Sequence, residues 1–138
     1  MQHRITTPGN LLTHLGHLRE PGWATQPLLQ YNRAHIRAAR WRIKEWDYYA
    51  VLNRHFGLAC TVSDNGYLGL VSLTWFDFDK KTEHTKTILT PLPLGRYHLP
   101  ATTTGGTVHF KHKQMEIAFT ITPGQRTLHC SVPDFMPG

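Results

Sequence analysis

The alternation of apolar and polar residues changes its period partway along the chain. Before Trp41, Pro8-Gly9-Asn10, Pro21-Gly22 and Pro27 interrupt every apolar stretch, and β-branched residues are few. Proline and glycine at that density stop long elements, so residues 1–40 are expected to form an irregular arm lying across a domain made by residues 41–138. One short helix is expected in the arm: Pro27 suits a first helical turn, and Leu28, Leu29 and Tyr31 lead toward Ile36 at three- to four-residue spacing.

From Trp41 the period becomes two, the repeat of an extended strand whose side chains alternate between faces. Over residues 41–53 one face reads Lys44, Trp46, Tyr48, Ala50, Leu52, and the other reads Ile43, Glu45, Asp47, Tyr49, Val51. Residues 56–63 alternate next and run into Asp64-Asn65-Gly66, whose residues tolerate the positive φ of a tight hairpin turn. Residues 68–78 are apolar on both faces, which predicts a strand in mid-sheet, with Trp75, Phe76 and Phe78 in a core closed by two layers. The threonine-rich residues 82–90 predict a polar strand, after which Pro91, Pro93 and Pro100 break pairing as far as Gly106.

Three short strands finish the pattern, over residues 107–112, 115–121 and 127–132. Thr122-Pro123-Gly124-Gln125 joins the last two, with Pro and Gly at the centre of a type II turn. The last strand is expected to leave an open edge. Successive antiparallel strands with short links imply an all-β fold, a meander that curls into a barrel or half-barrel or stacks as a sandwich.

Composition narrows the class. At 138 residues, 40% hydrophobic and 17% charged, the chain fits one ordered domain and not a disordered segment. No apolar run approaches the roughly 20 residues that span a bilayer, and the first residues lack a secretory core, so a cytoplasmic protein is expected. The net charge of +6 favours acidic partners in general. Cys60 and Cys130 each sit within an apolar alternation and are expected to be buried free thiols.

Several of these segments carry a resemblance. Ile5-Thr6-Thr7-Pro8-Gly9, Glu20-Pro21-Gly22-Trp23-Ala24, Arg42-Ile43-Lys44-Glu45-Trp46-Asp47-Tyr48-Tyr49, Asp64-Asn65-Gly66-Tyr67-Leu68-Gly69 and Phe76-Asp77-Phe78 resemble, in that order, the family called domain of unknown function 2804. The run from Arg42 to Tyr49 is its most specific part. The resemblance implies a lipocalin-like (calycin-type) barrel or half-barrel corresponding to the N-terminal half of longer proteins with a second β-rich half. More distantly, it implies kinship with lipocalin-like two-barrel proteins, some of which bind or modify isoprenoids such as carotenoids. It supplies no catalytic residues.

The chemistry of the residues themselves points first to the strand over residues 41–53. Glu45 and Asp47 share a face with Tyr49, while Trp46 and Tyr48 lie on the reverse. Turned inward, two acids in an apolar setting would leave one neutral and able to donate a proton, and nearby aromatic faces would stabilise a carbocation. The general tendency of acids favours instead a solvated face paired with basic residues across strands. His84, beside Glu83, is a candidate acid–base group or, more simply, a surface histidine.

His109 and His112 are three apart, so a strand sends them to opposite faces, and no metal site is expected. No cofactor is called for. Arg33, Arg37, Arg40 and Arg42 with Tyr31 and Trp41 make a basic, aromatic arm, but no nucleic-acid signature accompanies it, and a solvated face with peripheral contact to an anionic membrane explains the same residues.

The leading expectation is a protein that binds an apolar or amphipathic small molecule, with residues 41–78 as cavity wall and Trp46, Tyr48, Tyr49 and Trp75 as lining. One alternative is an isoprenoid- or lipid-modifying enzyme of the hydratase or isomerase type, acting through Glu45 or Asp47. Another is a structural half that pairs with a C-terminal half, or with a second copy through its open strand edge.

Overall fold

The structure, a computed structural model, describes residues 2–135. Among these residues nine strands run in chain order: β1 (Gly9–Asn10), β2 (Leu29–Gln30), β3 (Glu45–Leu52), β4 (Phe56–Asp64), β5 (Leu68–Asp77), β6 (Thr82–Pro91), β7 (Gly106–His112), β8 (Met115–Thr122) and β9 (Gln125–Ser131). β3 to β6 form one sheet in sequence order, β7 to β9 form a second, and β1 and β2 form a small parallel pair. All pairs within the two larger sheets are antiparallel. Among the described residues no ladder joins these sheets, so the meander is open, a half-barrel and not a closed barrel. Among the same residues no helix is long and apolar enough to cross a membrane.

The two-residue period explains how the sheets meet. Register places Asp47 opposite Val62, Cys60 opposite Leu73, and Val71 opposite Ile88, so one face of the four-stranded sheet is continuous across its strands. Cys60, Val62, Val71, Leu73 and Ile88 on that face pack against Val108, Phe110, Met115, Ile117 and Phe119 of the second sheet. Each large apolar side chain buried there contributes about 1.5–3 kcal/mol, and this interface is the main stabiliser of the fold. It is also filled: Val62, Val71, Met115, Ile117 and Phe119 have no exposed surface, which leaves no central chamber.

β9 starts near β3, and the chain beyond it reaches β6, where Lys86 Nζ donates to the Pro133 carbonyl at 2.8 Å. Among the described residues only one face of β3 to β6 is covered in this way. The expectation that two layers bury residues 68–78 is therefore corrected: β5 is central, but Phe76 is half-buried and Phe78 exposed. On the same outer side Trp46, Tyr48, Leu52 and Leu89 face solvent.

The arm also departs from expectation. In place of a helix from Pro27, Leu29–Gln30 pairs in parallel with Gly9–Asn10, and only a 3-10 turn, Arg33–His35, follows. Asn32 Oδ1 accepts the Ala34 N–H at 2.9 Å, and such side-chain bonding to nearby backbone competes with a longer helix. A second 3-10 turn, Arg40–Arg42, delays the start of β3 to Glu45.

The predicted hairpin at Asp64-Asn65-Gly66 is present, and it anchors more than its own turn. Gly66 adopts φ 77°, and Asp64, only 1% exposed, accepts the Gly66 N–H at 2.9 Å and the Gly95 N–H at 2.6 Å. One buried carboxylate thus joins the β4–β5 turn to the loop over residues 92–105. A Cβ on Gly66 would lie 2.5 Å from the Trp41 carbonyl oxygen. Gly66→Ala is therefore expected to cost at least about 2 kcal/mol in urea unfolding, and Gly66→Asn, which tolerates the φ but meets the same carbonyl, should recover little of it.

Candidate functional site

The inward side chains of β3 are set by the strand's parity. Ile43, just before β3, is 7% exposed, and Tyr49 packs edge-on to Phe119 of β8 with ring centroids 4.8 Å apart. Glu45 and Asp47 share that parity, so the carboxylate face turns toward the second sheet. The general tendency of acids toward solvent is overridden by the apolar residues flanking them, which gain more from burial than the acids lose.

The two acids differ in what receives them. Glu45 forms an ion pair with Arg33 and accepts a hydrogen bond from the Tyr31 hydroxyl, with its own side chain 13% exposed. Burial pushes the Tyr31 hydroxyl up, and the Arg33 cation works against that shift. Arg33 thereby leaves the solvated basic face expected for the arm and ties the arm to the first residue of β3. Asp47 has no such support: its Oδ2 is buried without a hydrogen-bond partner among the described residues. Burial accordingly raises its carboxyl above the usual aspartate range.

Asp47 faces open space. A cleft of about 410 Å³ lies between β3 and the loop over residues 92–105, walled by Trp46, Asp47, Tyr48, Tyr49, Pro100, Ile121 and Arg126 among others. A second recess of about 280 Å³ shares Trp46, Asp47 and Pro100 with it and adds Tyr31, Ile36 and Leu99 from the other side. The cleft exists because β3 is an edge strand that no neighbouring strand covers among the described residues. Arg126 Nη2 donates to the Thr103 carbonyl at 2.8 Å, which holds the loop over it.

Of the residues singled out from sequence, Glu45, Asp47, Trp46, Tyr48 and Tyr49 come together along β3. Trp46 and Tyr48 point to the outer side and form the lip of the cleft, being 62% and 57% exposed. Trp75 and His84 lie elsewhere. They are register partners on β5 and β6, and Trp75 stacks on Phe56 with centroids 4.7 Å apart, while His84 meets Phe135 edge-on at 4.9 Å. Trp75 lies opposite Leu58, four residues or roughly 13 Å along β4 from the Asp47 partner Val62.

Sequence reasoning missed Arg33, Pro100 and Arg126 as parts of the site. Arg33 and Arg126 are separated from β3 along the chain, and no local spacing marks them. Pro100 was legible only as a break in strand pairing.

Comparison with protein families decides the relationship. The family described as domain of unknown function (DUF2804) matches residues 2–138. The chain belongs to this family. The match spans every segment on which the resemblance rested, the arm included. No curated protein and no solved structure matches the chain.

The contrast between the two acids yields two expected outcomes. Arg33→Met leaves Glu45 in place without its cation and should cost about 2–3 kcal/mol in chemical unfolding, with Arg33→Met/Glu45→Gln costing less than the single change. For Asp47 the raised pKa means that the folded chain holds the proton more tightly than the unfolded one. Its favourable contribution is present at low pH and is lost as pH rises through the raised value. Asp47→Asn is thus expected to raise the melting temperature at pH 7, an advantage that shrinks as pH falls toward the ordinary aspartate pKa of about 3.9.

Proposed function

We propose that this protein binds an amphipathic small molecule in the cleft beside β3, with a hydrogen-bond-donating head group against Asp47 and an apolar body along Tyr49, Pro100 and Ile121. The observation that carries the reading is the buried, unpartnered Oδ2 of Asp47 at the wall of a 410 Å³ cleft. A buried acceptor with no donor is destabilising by itself, on the order of 1–3 kcal/mol, and a ligand's N–H or O–H would satisfy it. The volume falls within the usual range of small-molecule sites, and aromatic lining with a few polar groups, here Asp47, Arg126 and two threonines, is compatible with such a site. Since the space between the sheets is filled, the ligand belongs at the open edge and not in a barrel interior.

A second reading, a proton-transfer enzyme of isoprenoid or lipid chemistry, is favoured by one observation: burial raises the Asp47 carboxyl, and a neutral acid can donate. Glu45 is ill-suited to that role because Arg33 and Tyr31 already occupy its oxygens.

Binding is tested by fluorescence, since Trp46 lies at the lip. A long-chain alkylamine is expected to quench or shift the emission at lower concentration than the alkyl sulfonate of equal length, despite the chain's positive net charge. Asp47→Asn should narrow the difference between the two by roughly tenfold or more, as expected for a hydrogen bond to a charged group. Equal response to both head groups in the unmodified protein, or an undiminished amine preference in Asp47→Asn, would remove the proposal.

A further inference from the structure

Outside the cleft, two reactive side chains meet across the inter-sheet core. Cys60 on β4 and Cys130 on β9 are 70 positions apart in sequence, and their Sγ atoms lie 3.4 Å apart. Both are free thiols; Cys60 is fully buried and Cys130 half-buried. Each lies among apolar neighbours, Cys60 between Tyr49 and Leu73 in its sheet and Cys130 beside Ile117 in the other. We infer that Cys60 and Cys130 form an oxidisable dithiol site, converted by a hydroperoxide into a disulfide that links the two sheets.

The geometry demands little. A covalent S–S bond is about 2.05 Å long, so the sulfurs must approach by roughly 1.4 Å, a movement that two side chains can share. The pair is also asymmetric. The two sulfurs share one S–H···S contact in which either can donate; that contact lowers the Cys130 thiol below its usual value, while the same contact and burial push Cys60 up. Cys130 is the half-buried member of the pair, so it is the sulfur an oxidant reaches first.

The chemistry balances without a further reagent. The Cys130 thiol loses its proton, and its sulfur attacks one oxygen of hydrogen peroxide as the O–O bond breaks. The departing hydroxide takes up a proton as water, leaving a sulfenic acid on Cys130. The Cys60 sulfur then attacks the sulfenic sulfur, the S–O bond breaks, and the hydroxyl leaves as water with the proton from Cys60. Two thiols and one peroxide become one disulfide and two waters, and the two electrons lost by the sulfurs reduce the O–O bond. The consequence is structural: sheets held together by side-chain packing gain a covalent tie that closes a long loop.

The test uses the full chain, reduced, freed of reductant and treated with equimolar hydrogen peroxide, then alkylated in denaturant and mapped without reduction. The expected product is a monomer that has lost two hydrogens, with the Cys60 and Cys130 peptides joined. Its melting temperature should rise by roughly 10 °C, and dithiothreitol should reverse both changes. Cys60→Ala should instead stop with Cys130 as a sulfenic acid, trapped by dimedone, and pass to sulfinic acid only when a second equivalent of peroxide is added, whereas Cys130→Ala should leave Cys60 reduced. Both thiols still fully alkylated after peroxide, cross-links only between chains, or sulfinic acid without a disulfide in the unmodified protein would overturn the inference. These three outcomes are read on the unmodified chain and hold even if neither variant folds.

Discussion

The interface between the four-stranded and three-stranded sheets is held by side chains alone. Among the described residues no backbone ladder crosses it, so everything between β3 to β6 and β7 to β9 depends on apolar surface removed from water by Val62, Val71, Leu73, Met115, Ile117 and Phe119. A barrel would have closed the edges with hydrogen bonds. The open arrangement leaves β3 with a free side, and the loop over residues 92–105 partly roofs it. Cleft, acids and arm are consequences of that one uncovered strand.

Glu45 and Asp47 show how position two residues apart on one face can produce opposite electrostatics. Glu45 lies at the end of its strand, where the arm can deliver Arg33 and Tyr31. Asp47 is one pleat further in, next to the apolar interface and beyond the reach of that pair. The first acid serves attachment of the arm. The second has one carboxylate oxygen buried without a hydrogen-bond partner among the described residues, a rare state for a buried polar group. Asp64 shows a third outcome, a carboxylate more buried than either and fully engaged by the backbone N–H groups of Gly66 and Gly95.

The same interface that excludes water also brings Cys60 against Cys130. Within the dry layer the thiols pack as small apolar groups, and their chemistry is latent until an oxidant reaches the more accessible sulfur. Cys60 pairs across the ladder with Tyr49, itself a wall residue of the cleft. The thiol pair and the cleft are thus separated by a single strand spacing.

The strands of the two larger sheets, their antiparallel order and two of their hairpin turns were legible from sequence, because a two-residue period and the Asp64-Asn65-Gly66 and Pro123-Gly124 turns are local properties of extended backbone. The family resemblance was legible too, through the run from Arg42 to Tyr49. The arm was not legible at Pro27, because Leu28, Leu29 and Tyr31 fit a helical spacing equally well, and only pairing with Gly9–Asn10 selects the extended form. Which face of β3 lies inward could not be read locally either: both faces carry aromatic residues, and the choice rests on Phe119 and Val62 arriving from other strands. Alternation along a chain specifies that two faces exist, whereas only the packing of one sheet against another specifies which of them meets water.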